Sequence, residues 1–60
     1  MASDQFKDAL RLVGWTQRQF AGRMGVDEAT VSRWASGRLP VPQYVAEYMR
    51  VVVAVSEVMK

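Results

Sequence analysis

The sequence predicts an all-α fold, a compact bundle of about four helices with a long one at the C-terminal end. Three observations carry that prediction. Apolar residues recur at i, i+3, i+4 and i+7, the period of a helix packed on one face. Gly14, Gly25 and Gly37 fall where that period breaks, and glycine readily takes the left-handed conformation that ends a helix. Ser3, Thr16 and Asp27 stand just ahead of the periodic segments, where a side-chain oxygen accepts from an unpaired amide of the first turn.

Taken in order, Ser3 is expected to cap a first helix, with Asp4 near the positive end of its dipole. Phe6, Ala9, Leu10 and Val13 form its inward face, and Gly14 stops it. Thr16 opens a second helix, and Gln19 three residues later completes a capping box. Trp15 and Phe20 flank that cap at the spacing of a hydrophobic staple. Phe20, Ala21 and Met24 face inward until Gly25 closes the helix. The same grammar then repeats, with Asp27 as cap, Val26 and Val31 as staple, Val31, Trp34 and Ala35 inward, and Gly37 as the stop. Leu39-Pro40-Val41-Pro42 reads as a rigid connector, Pro42 suiting the first turn of the next helix, where its missing N–H costs nothing. Val51-Val52-Val53 has strand propensity, but one strand alone has no partner here. The segment from about 42 to 59 therefore reads as one long fourth helix.

Sixty residues, read as one domain over 1–60, bury only about 60% of their unfolded surface. A core that small needs close helix packing, a second subunit, or both. Cysteine and histidine are absent, which excludes disulfides and the usual zinc or iron sites. No metal, cofactor or small-molecule ligand is expected. The polar start, Met-Ala-Ser-Asp-Gln, lacks the apolar run of a signal peptide. Val51 to Val55 is too short to cross a membrane. A cytoplasmic protein with no membrane partner is the expectation.

The formal net charge is only +2, but its distribution is uneven. Between residues 11 and 38 stand Arg11, Arg18, Arg23, Arg33 and Arg38, against Asp27 and Glu28 alone. Outside that stretch Lys7, Arg50 and Lys60 face Asp4, Asp8, Glu47 and Glu57. The basic middle suits a polyanionic partner, although charge by itself favours an ordinary solvated surface.

A sharper signal lies around Gly25. Ala21, four residues before it, lets a second helix approach closely, and Val31 and Trp34 follow at inward positions. Two short helices joined through Gly25-Val26-Asp27 then pack at a steep angle. The run from Gln17 to Gly37, QRQFAGRMGVDEATVSRWASG, resembles the helix-turn-helix of the Cro/repressor (XRE-type) family of DNA-binding proteins. Small Ala21, turn-forming Gly25 and branched Val31 fall at that family's spacing, and Val-Ser-Arg-Trp-x-x-Gly is similar to its recognition-helix ending. With the first helix and the proline-rich entry to the fourth, the resemblance extends over about two-thirds of the chain.

The resemblance implies a helix-turn-helix over 17–36 whose second helix, Glu28 to Ser36, lies in the major groove of double-stranded DNA. Its polar side agrees, because Glu28, Ala29, Ser32, Arg33 and Ser36 form one continuous face opposite Val31, Trp34 and Ala35. Most of those side chains are short. Arg33 alone carries a long bidentate fork, suited to guanine O6 and N7. Ser32 suits several bases and Ala29 a thymine methyl. Glu28 leaves three readings open: accepting from a cytosine amino group, orienting Arg33, or favouring the helix N-terminus. Gln17 sits where family members commonly anchor a phosphate, with Thr16 beside it. Arg18, Ser36 and Arg38 are further phosphate candidates by position. Trp15, Trp34, Tyr44 and Tyr48 read as packing residues rather than base-stacking platforms.

Two departures from the family stand out. Ala35 occupies a position where many members carry Glu, often paired to a basic residue. Gly22 interrupts the second helix at a cost of about 1 kcal/mol relative to Ala, and close approach to a phosphate is one reading of it. On the fourth helix, Val45, Tyr48, Met49 and Val52 are expected to cover the core. Val51, Val55, Val58 and Met59 form a second stripe that a small monomer does not easily bury, pointing to a homodimer on an inverted-repeat operator.

These readings lead to a sequence-specific transcriptional repressor or autoregulator, similar to small phage and mobile-element repressors, including those associated with anti-CRISPR genes. The sequence does not choose between repression and activation. A protein-interaction module, antitoxin- or adaptor-like, is the alternative. An enzyme is not expected: there is no His, no Cys and no phosphate-binding glycine loop with which to do acid–base or metal chemistry.

Overall fold

A computed structural model describes residues 1–59 and shows four helices with no strand among them. They are α1 (Ser3–Val13), α2 (Gln17–Met24), α3 (Glu28–Ser36) and α4 (Gln43–Val58). α1 is the hub, packing on α3 along one side and on α4 along another, while α2 packs on α3.

The local signals act largely as their chemistry dictates. Thr16 Oγ1 accepts from the Gln19 amide at 3.0 Å, and Gln19 Oε1 accepts from the Thr16 amide at 2.9 Å. Asp27 Oδ1 accepts from the Ala29 amide at 3.2 Å. Each such cap contributes about 1 kcal/mol. Gly14, Gly25 and Gly37 all carry positive φ, between 70° and 84°, where a side chain would be strained.

The first cap differs from expectation. Ala2, not Ser3, is the N-cap of α1, and Ser3 is already its first helical residue. Gln5 Oε1 reaches back to accept from the Ala2 amide at 2.9 Å, so one half of a capping box works without a capping hydroxyl. Pro42 likewise stands one residue outside α4, as its N-cap, with its carbonyl accepting from Val45 and Ala46.

The core is wholly apolar. Phe6, Phe20, Val31, Val45 and Met49 are fully buried, with Ala9, Leu10, Ala21, Trp34 and Ala35 around them. Phe6 stacks edge-to-face on Phe20 and on Trp34, with ring centroids 5.4 and 6.0 Å apart. Such geometry adds about 0.5–1.5 kcal/mol per pair beyond area burial. The alanines matter through their size, since Ala21 and Ala35 let α3 settle against α2 and α1.

α4 lies in a different rotation from the one expected. Val45 and Met49 are buried as anticipated, but Ala46 and Val53 complete the covering face. Tyr48 is 39% exposed and Tyr44 57% exposed, so neither is a core residue. With Ala46 on the buried edge, Tyr48 sits at the rim of the core, its ring still 6.4 Å from that of Phe20. Met24 and Trp15 are half-buried rather than enclosed.

Candidate nucleic-acid interface

α3 is held from below by Val31, Trp34 and Ala35, which leaves its opposite side free. Glu28, Ala29, Ser32, Arg33 and Ser36 are all exposed there. The bend into it is set by Gly25 at φ 70° and by the Val26 amide donating to the Ala21 carbonyl at 3.1 Å. At the far end the Arg33 carbonyl accepts from the amides of both Arg38 and Leu39, at 2.9 and 3.2 Å. That pair of bonds fixes where the chain carries Arg38 after α3.

The ion pairs among the described residues sort the cations. Lys7 pairs with Asp4 at 3.8 Å, and Arg11 pairs with Asp8, both along the exposed side of α1. Arg18, Arg33 and Arg38 have no carboxylate partner among the described residues. Glu28 makes no ion pair with Arg33 here, so the arginine fork is not pre-oriented by it. An unpaired guanidinium meets an anionic ligand without first giving up an internal partner.

At the start of α2 the reciprocal cap occupies the amides of Thr16 and Gln19. The amides of Gln17 and Arg18 have no acceptor among the described residues. Thr16 Oγ1 serves only as acceptor in the cap, so its hydroxyl proton is available. Two free amides, a hydroxyl and the helix dipole together form an electropositive end. Ser36 differs: its Oγ donates to the Arg33 carbonyl at 3.2 Å, and must release that bond to donate to a phosphate.

Lys7 and Arg11 were not among the sequence candidates. With Leu10, Trp15, Thr16 and Gln17 they line a shallow hollow of about 300 Å³ beside the start of α2. Their i, i+4 spacing on α1, flanking inward Leu10, was the available signal. It is weak alone, because only the fold brings that side of α1 against Thr16. Their exposed pairings with Asp4 and Asp8 contribute little, so both cations are free to turn toward an anion.

Trp34 is buried in the core, whereas Trp15 has one face tilted toward Phe20 and Arg23 over its ring at 4.4 Å. Val51, Val55, Val58 and Met59 are all exposed on α4, which packs on α1. The described residues hold no cluster of metal-ligating side chains, and no described helix is long and apolar enough to cross a membrane.

The geometry is a short helix, a glycine turn and a second short helix held against a hub by small residues. A helix-turn-helix family model, HTH_3, matches residues 6–51, more than half of the chain. The chain belongs to this family, the Cro/repressor-like helix-turn-helix proteins. As a member it is a DNA-binding helix-turn-helix domain, and the matched region takes in most of α1, all of α2 and α3 and much of α4. No curated protein and no solved structure matches it significantly. Ala35 is only 3% exposed and belongs to the apolar core, so no polar link is made from this position.

Proposed function

We propose that this helix-turn-helix protein binds double-stranded DNA sequence-specifically and acts as a transcriptional repressor, including of its own gene. α3 enters the major groove, with Arg33 bidentate to a guanine, Ser32 and Ala29 against neighbouring base edges, and Glu28 at the N-terminal edge of the contact. Thr16, Gln17 and Arg18 hold one phosphate region, and Ser36 and Arg38 another. Two copies joined through Val51, Val55, Val58 and Met59 occupy an inverted repeat with half-sites about 34–36 Å apart. The protein works where the DNA is, in the cytoplasm of a bacterial cell or phage-infected host.

The observation that carries this reading is the free side of α3, where short side chains surround one arginine with no internal partner. A helix so lined sits close to base edges, and a single long fork then reads a base without a steric rival. Binding, not chemistry, is what these side chains are equipped to do.

Selection of duplexes from a random DNA pool tests it, with Arg33→Ala run in parallel. The wild-type protein is expected to enrich an inverted repeat containing a guanine in each half-site. Arg33→Ala is expected to lose that guanine preference, a loss worth about 1–3 kcal/mol of discrimination. Failure to enrich any sequence at near-physiological salt, with weak and salt-insensitive association, would leave the protein-interaction reading in its place.

A further inference from the structure

α4 carries a pattern that the DNA face does not use. Tyr44, Tyr48, Val51, Val55 and Val58 follow one another in steps of four, three, four and three residues. All five are exposed, although four of the next positions around the helix, Val45, Ala46, Met49 and Val53, pack into the core. At 100° per residue the five fall within an arc of about 80°. That is the narrow seam of a helix pair, with Tyr48 and Val55 at one kind of seam position and Tyr44, Val51 and Val58 at the other. Apart from Tyr48, whose ring also meets that of Phe20 at 6.4 Å, this stripe is unpartnered apolar surface among the described residues.

Charge identifies the occupant. In a twofold pair each seam residue near the axis meets its own copy, so a charged one would repel itself. No residue of this seam is charged. On its two flanks, by contrast, stand an acid and an arginine. Glu47 lies beside the seam on one flank. On the other, Val52 borders a groove that also holds Arg23 and Trp15. Arg23 has no carboxylate partner among the described residues, and its guanidinium is held in place over the Trp15 ring. In a parallel helix pair, a residue just before one seam position faces the partner's residue five places later, on the opposite flank. For Glu47 that place is position 52 of the second copy, beside the second copy's Arg23. An antiparallel pair would instead set like flanks together, so that Glu47 and Arg23 would not meet.

We infer that a second copy of this chain covers α4, the two α4 helices running parallel with Tyr44, Tyr48, Val51, Val55 and Val58 against their own copies. Arg23 of each subunit faces Glu47 of the other. This deepens the homodimer of the proposed function: it adds the tyrosines to the interface, fixes the direction of the helices and gives Arg23 a role outside DNA binding. Met59 flanks the seam rather than lying in it.

The chain has no cysteine, so single-cysteine variants report the arrangement directly. Tyr44→Cys and Val55→Cys are separated by about 16 Å along the helix. Under mild oxidation without DNA, a parallel pair cross-links at both positions, and an antiparallel pair at one position at most. Leu12→Cys, exposed on α1, is expected to cross-link far less. In sedimentation of the cysteine-free protein, Glu47→Arg is expected to weaken the dimer about tenfold, and adding Arg23→Glu to restore it. Circular dichroism checks that each variant remains helical.

A protein that stays monomeric at high micromolar concentration, cross-linking at a single seam position, equal cross-linking at Leu12→Cys, or a charge swap that fails to restore the dimer would each overturn the inference. The outcome is separable from the DNA reading. A parallel dimer that selects no duplex keeps the seam and removes the proposed function, and a monomer that selects single half-sites does the reverse.

Discussion

Replacing Gly22 by alanine separates what the fold requires from what a ligand requires. Gly22 lies in the interior of α2, and its φ is outside the positive range that glycine alone favours. A Cβ built there meets no atom within 4 Å. Neither backbone conformation nor packing in the free protein demands glycine. Gly22→Ala should then recover the difference in helix propensity, about 1 kcal/mol, partly by restricting the unfolded chain. In a domain of this size that corresponds to a rise in Tm of about 4–8 °C. Thermal unfolding followed by circular dichroism measures it, with binding to a selected duplex measured alongside. A Tm that is unchanged or lowered would refute the reasoning, because some constraint on Gly22 would then exist that the structure does not contain. A raised Tm with duplex affinity lost would place the DNA backbone against Gly22, and a raised Tm with affinity kept would show a glycine that neither fold nor ligand needs.

Two further substitutions test the local physics. Thr16→Ala removes the oxygen that accepts from the Gln19 amide and should cost about 1 kcal/mol of stability in denaturant unfolding, with Thr16→Ser retaining most of it. Ala35→Glu places a carboxylate at a site 3% exposed with apolar neighbours. It should cost several kcal/mol, on the order of 3 or more, since a buried carboxylate without a partner is strongly penalised; an unchanged midpoint in urea would mean that α3 relaxes to expose the site or a cation reaches it.

Much of this protein was legible along the chain because its signals are local. Thr16 with Gln19, Asp27, and the three stop glycines each act within one turn of backbone, and all appear where the sequence places them. The polar side of α3 was equally readable, since residues on one helix share a face by period alone. The first cap escaped because Gln5 supplies from inside the helix what Ser3 was expected to supply from outside. Lys7 and Arg11 escaped because their place beside Thr16 and Gln17 depends on how α1 meets α2.

By itself the sequence determined the four helices, most of their ends, most of the apolar core and which side of α3 stays exposed. Each of these depends on neighbours within about four positions. Only the tertiary structure decided the rotation of α4, which buries Ala46, half-buries Val53, exposes Tyr44 and leaves Tyr48 at the rim against Phe20. The reason lies in the composition of that helix. Apolar residues occupy more than one of its faces, so periodicity leaves the inward face open, and the choice falls to which edge fits closest against α1.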